Sequence, residues 1–160
     1  LVLNLSPARD LATIARHLDR TEASRYRPFL LAAFGVDGAG LLFRWDGRAL
    51  ERQSLADTRL PVTTSSFRTA DVLAARRRKF ESFVASFGGV TDDMLRAFHH
   101  SRDEQGGAFS VTMTRPDAQT VSFSMVTIGP ERIIYYYQSR HMGEQDPAYA
   151  TGEAVVMERA

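Results

Sequence analysis

Residues 109–137 read as a meander of three antiparallel strands, and this stretch limits the possible architectures more than any other. Phe109, Val111 and Met113 alternate with Ser110, Thr112 and Thr114. After an Arg115-Pro116-Asp117 turn, Val121, Phe123 and Met125 alternate with Thr120, Ser122 and Ser124. A period of two in adjacent segments puts apolar side chains on one face and hydroxyls on the other, as antiparallel pairing requires. Gly129-Pro130 then turns the chain into a third strand over 132–137.

Upstream the period changes twice. Ser6-Pro7 starts a helix whose apolar face is Leu11, Ile14, Ala15 and Leu18. Phe29–Phe34 and residues 41–45 are short apolar runs divided by Gly35, Gly38 and Gly40. Asp46-Gly47 is a two-residue hairpin signal, with 48–53 as the return strand. Residues 60–64 are a further strand candidate. Thr69 caps a long helix with Asp71 in its first turn, a stripe of Leu73, Phe80, Phe83, Val84 and Phe87, and Gly88-Gly89 at its end. Thr91, followed by Asp92 and Asp93, opens a shorter helix that carries Met94, Leu95 and Phe98 and finishes at His99-His100. The organisation expected is one α+β domain over 1–142, followed by a tail over 143–160 that has no clear period and is expected to be partly disordered. The chain opens Leu1-Val2-Leu3-Asn4-Leu5, which reads like the end of a strand in the later part of a longer protein.

Composition excludes several chemistries. The 160 residues include no Cys, which removes disulfides, Cys-ligated zinc, iron–sulfur clusters and thiol nucleophiles supplied by these residues. A net charge of +1 gives no field to attract nucleic acid. No apolar run is long enough for a membrane span, and a cytoplasmic location is expected.

The side chains that could carry chemistry each have a bland reading beside the functional one. His99 and His100 point about 100° apart on a helix, so they do not share a metal as an i, i+4 pair would, and a helix C-terminus favours imidazolium without catalysis. His17 and His141 have no ligand partner at metal spacing. No metal site and no cofactor are expected. Thr63-Thr64-Ser65-Ser66 precedes a helix, where its hydroxyls either cap the turn or meet a substrate; the Gly-x-Ser-x-Gly signature of a nucleophile elbow is absent. The run Arg76-Arg77-Arg78-Lys79 wraps most of a helix circumference and reads as a solvated surface, with room for one arginine to turn toward a site. The Ser and Thr stripe of the meander is either a solvent-facing surface or the wall of a polar pocket.

Taken together, several segments resemble the NRDE-motif family, the relatives of transport and Golgi organisation protein two. Val2-Leu3-Asn4-Leu5-Ser6-Pro7 resembles that family's strand-end motif. Phe29-Leu30-Leu31 followed by Phe43-Arg44-Trp45-Asp46-Gly47 is similar to its central hairpin. Val62-Thr63-Thr64-Ser65-Ser66 with Arg76-Arg77-Arg78-Lys79-Phe80 resembles its Ser-containing turn and arginine-bearing helix. Phe98-His99-His100, Ser110-Val111-Thr112-Met113 and Asp117-Ala118-Gln119-Thr120-Val121-Ser122 resemble the ending of bacterial members.

The resemblance covers nearly all of 1–138. It implies an N-terminal-nucleophile hydrolase-like αββα sandwich with antiparallel sheets, of which this chain is the later part. The family's terminal Cys and Asn-Arg-Asp-Glu motif would precede Leu1, so amide hydrolysis is expected only of a form headed by that Cys. Asn4 is then the oxyanion donor, or else satisfies backbone at its turn. Thr64, Ser65, Ser66, Arg77 and His99 are the implied substrate contacts. The alternative expectation is a non-catalytic module that binds a small molecule or a protein partner. Unpaired sheet edges make a homo-oligomer expected as well.

Overall fold

Asp10, not Ser6-Pro7, starts the first sizeable helix. The computed structural model describes residues 1–5, 7–65, 68–104, 106–140 and 151–158. Val2–Leu5 is a single helical turn, α1, where the sequence reads as a strand end. Leu11–Asp19 forms α2, and the Thr13 amide donates to Asp10 Oδ1 at 2.6 Å. The Asp10 carboxylate supplies the cap, so the helix starts there and not at Pro7, four residues before Leu11. The chain divides into two compact units, Leu1–Arg59 and Leu60–Ala160.

In the first unit, β1 (Phe29–Phe34), β2 (Gly40–Trp45) and β3 (Leu50–Ser54) form an antiparallel sheet in that order. The Asp46-Gly47 signal marks the right hairpin, but the loop has four residues because Trp45 pairs with Leu50. Asp46 Oδ1 accepts from the amides of Arg48 and Ala49 at 2.7 and 2.8 Å, and Gly47 takes a positive φ of 99°. The side chain thus does part of the work that a tighter turn would leave to backbone. Leu5, Ala15, Leu18, Ala33 and Phe43 form the core, flanked by Leu11, Ile14, Leu31 and Leu41. The α2 stripe expected from spacing is therefore the packed one. Trp45 Nε1 donates to Tyr26 O at 3.1 Å, which ties β2 to the segment before β1.

The second unit opens with an irregular segment. Residues 60–64 are not a strand: Pro61 has no N–H to donate, and Leu60 and Val62 are exposed. α3 spans Thr69–Phe87 and α4 spans Asp92–His100. Thr69 is the first helical residue and not the cap; its hydroxyl donates to Ser65 O, and Arg68 holds the cap position with φ 41°. Gly88 and Gly89 end α3 at positive φ, with both amides donating to Val84 O. Thr91 caps α4 as its sequence indicates, accepting from the Met94 amide at 3.1 Å. Phe80, Met94 and Phe98 form the core between the two helices.

The meander is shifted along the chain. Its strands are β4 (Ser122–Ile128), β5 (Arg132–Ser139) and β6 (Glu153–Glu158), hydrogen-bonded in that order. Residues 109–114 do not form its first strand. They begin in a short 3₁₀ turn, Gly107–Phe109, and make one isolated bridge, Thr114 to Gln119. Their alternation is real but inverted, because Ser110 and Thr112 are the buried residues. Thr112 Oγ1 donates to His99 O at 2.7 Å, and Ser110 Oγ accepts from the Asp103 amide at 2.8 Å. A hydroxyl that satisfies buried backbone stabilises an irregular interior segment where an alkyl group would leave that backbone unpaired. The hydroxyl stripe is thus split, with Ser110 and Thr112 in the interior and Ser124 exposed on β4. Strand β6 lies within the stretch expected as a tail. Its run Ala154-Val155-Val156-Met157 shows no alternation because β6 lies at the end of the strand order and all six of its residues are exposed.

Candidate functional site

The arginine run on α3 resolves into three environments. Val72 and Phe80 are buried on the helix, and Arg76 stands four residues from each, so all three share one face. Both of its Nη atoms are engaged there, while its Nε has no hydrogen-bond partner. Nη1 donates to Thr63 Oγ1 at 2.7 Å and Thr64 O at 3.2 Å, and Nη2 donates to Ala108 O at 2.8 Å and Ser110 O at 3.2 Å. Burial lowers the Arg76 pKa from its usual value. Arg76 therefore staples the 63–64 segment to the 108–110 segment. Arg77, the arginine expected to contact substrate, is half-buried, and its Nε has no hydrogen-bond partner. Arg78 is exposed.

Around this staple, Thr64 contributes its carbonyl and Ser65 O accepts from the Thr69 hydroxyl. The described contacts of Thr64 and Ser65 thus run through their carbonyls, while Thr63 contributes its hydroxyl as an acceptor for Arg76. Ser66 lies outside the described residues, as do Ser6 and His141. Arg140, a residue not singled out by sequence, does similar work at the other end of the irregular segment. It is buried, and its Nη1 donates to Met113 O and Thr120 O, its Nη2 to Thr114 Oγ1.

His99 and His100 end α4 against β4 and β5. The His99 ring lies 5.7 Å from Phe123, and the His100 ring 4.9 Å from the same ring. Arg96 sits 4.4 Å over the face of Tyr136, which itself neighbours Phe123. Desolvation lowers the pKa of His99, with a smaller contribution from His100. For His100 desolvation again comes first; a hydrogen bond with Gln138 opposes it and Arg96 adds to it. Both rings thus pack on Phe123 at the end of the helix.

A pH dependence follows from the two imidazoles. Their folded pKa values lie below the unfolded value of about 6.5, so the unfolded chain binds more protons as pH falls through that value. The stability they confer is fully present above about pH 6.5 and is lost progressively below it, before most carboxylates titrate. Urea midpoints measured from pH 7.5 to 5 should fall. A His99→Gln, His100→Gln variant should flatten that slope, and an unchanged slope would assign the loss elsewhere.

Asn4 belongs to the first unit, exposed on α1. The first unit also carries a cleft of about 810 Å³ formed by α2, the β1–β2 turn and the end of β3. Leu11, Ala12 and Ala15 line it from the helix, and Leu41 and Leu55 from the sheet side. Gly38, Ala39 and Gly40 keep the facing wall low. At Gly40 the fit is tight, since a Cβ there would stand 2.5 Å from Leu55 Cδ1. Arg52 and Ser54 are the polar groups of the lining. The cleft's size falls within the range of small-molecule sites, roughly 300–1,000 Å³.

Among the described residues no cluster of His, Asp and Glu is placed to hold a metal ion. Nor is any described helix long and apolar enough to cross a membrane. Comparison with protein-family models, with curated proteins and with solved structures gives no match for this chain.

Proposed function

We propose that these 160 residues act as a non-catalytic small-molecule-binding module, built as the later part of an NRDE-type sandwich. The observation that carries the binding role is the cleft beside α2, whose walls are alanines, leucines and glycines around one cationic side chain. Such a lining fits a mostly apolar ligand of modest size. A hydrolase reading needs a thiolate these residues do not contain, and the amide proposed to serve it, Asn4, sits exposed on a single helical turn. The two three-stranded antiparallel sheets and the flanking helices support the sandwich reading at the level of α+β architecture. A cytoplasmic protein that self-associates through its sheet edges is consistent with that reading.

Titration of the ¹⁵N-labelled chain with decan-1-ol tests the binding role. Amides of α2 and of 50–56 should shift in a saturable way. Ala12→Trp, an exposed cleft-wall position, should block the shifts while leaving the fold intact by circular dichroism. Shifts spread over the whole chain, or unaffected by Ala12→Trp, would refute the cleft as the site.

A further inference from the structure

We infer that the ligand of this cleft is an amphipathic monoanion, with its apolar body against α2 and its carboxylate paired to Arg52. This rests on the binding role proposed above and adds the chemical class of ligand. The register pairs Arg52 with Phe43, a core residue. Directly opposite positions share a sheet face, so Arg52 stands on the side of β3 that packs toward α2. A cation placed on the packed side of a sheet must carry its head to the cleft mouth, as long basic side chains do over apolar surface.

The partner Arg52 finds there is weak. Arg52 Nη1 lies 3.5 Å from Asp19 Oδ2, and the two side chains are 48% and 60% exposed. One long contact between half-solvated groups contributes little, so a ligand carboxylate can displace Asp19 at small cost. A guanidinium presents two parallel N–H groups to a carboxylate, a geometry that the single contact with Asp19 leaves unused. Ser54 is neutral and adds no competing anion, and its hydroxyl accepts from the Ala56 amide at 3.2 Å. The remaining lining named above is apolar or glycine, which favours a hydrocarbon body and disfavours a second charge.

The experiment compares decanoate with decan-1-ol, equal in chain length and different in charge, by calorimetry and amide shifts on the whole chain. The natural sequence should bind decanoate about tenfold more tightly, the scale of one charge-assisted contact at a partly desolvated site. Arg52→Gln should remove that preference, bringing the ratio of decanoate to decanol affinity to about one whatever the variant does to decanol itself. Asp19→Asn, which removes the competing carboxylate, should tighten decanoate about two- to fivefold and leave decanol alone. If decanol binds as tightly as decanoate, or the preference survives Arg52→Gln, the monoanion inference is overturned and the cleft remains an apolar site. If neither binds, the binding role itself fails. Because Asp19→Asn predicts a gain, loss of fold cannot mimic it.

Discussion

Arg76→Ala should cost the protein about 3 kcal/mol of stability, although the position lies in a run that reads as solvated surface. Four donor contacts from one guanidinium hold two segments that have no strand pairing of their own at that point. Removing the side chain leaves the Ala108 and Ser110 carbonyls without these bonds, in a region where Ser110 itself is buried. Charged donors contribute about 1.5–3 kcal/mol each in net terms, but several on one group are not additive, which places the sum near 3 kcal/mol. Arg76→Lys should recover less than half, since one ammonium on a shorter reach does not serve both segments. Arg78→Ala, two residues on and exposed, should change stability by less than about 0.5 kcal/mol. Urea midpoints of the three variants decide this. Equal effects at 76 and 78 would show that the staple contributes nothing.

The contrast between those arginines also marks where the sequence is legible. The β1–β2–β3 sheet is readable because its turns carry their own chemistry, Asp46 and the glycines on either side of β2. α4 is readable because Thr91 and the apolar residues Met94 and Phe98 agree about its face. Arg76 could have been found by the same spacing rule, because Leu73, Phe80 and Val84 define a stripe that passes beside it. The identity of the residue as arginine outweighed its position. The segment 109–114 misleads for the opposite reason. Alternation reports that two faces differ, not which one is inside, and here the hydroxyls face inward because irregular backbone needs acceptors and donors. Strand β6 has no alternation to read, since all of its residues are exposed. The cleft is invisible for a further reason. It is made by small residues at Ala12, Ala15 and Gly38–Gly40 facing each other across the fold, and missing volume leaves no periodic signal.

Phe98→Ala is the other substitution expected to have a large effect, about 3–5 kcal/mol. Phe98 is 2% exposed on α4, and its ring meets three others edge-on: Phe80 at 5.1 Å, Phe83 at 5.9 Å and His99 at 5.3 Å. Edge-to-face pairs contribute beyond the area they bury, so the loss should exceed that of an aliphatic residue of equal burial. Met94 cannot fill the space from one turn away without leaving its own fully buried position. The cavity left behind is lined mainly by Phe80, Phe83 and Met94, with the His99 ring at its edge, which leaves too few polar partners to hold a water well. Benzene should therefore bind the Phe98→Ala variant and raise its thermal midpoint, while leaving the natural sequence unaffected. Phe87→Ala, which removes the ring stacked on Phe83 at 6.2 Å but 45% exposed, should cost less than about 1 kcal/mol. Thermal melts of both variants with and without benzene separate a packed α3–α4 core from a loose one. A Phe98→Ala protein that melts like Phe87→Ala and ignores benzene would show that the two helices do not depend on this ring.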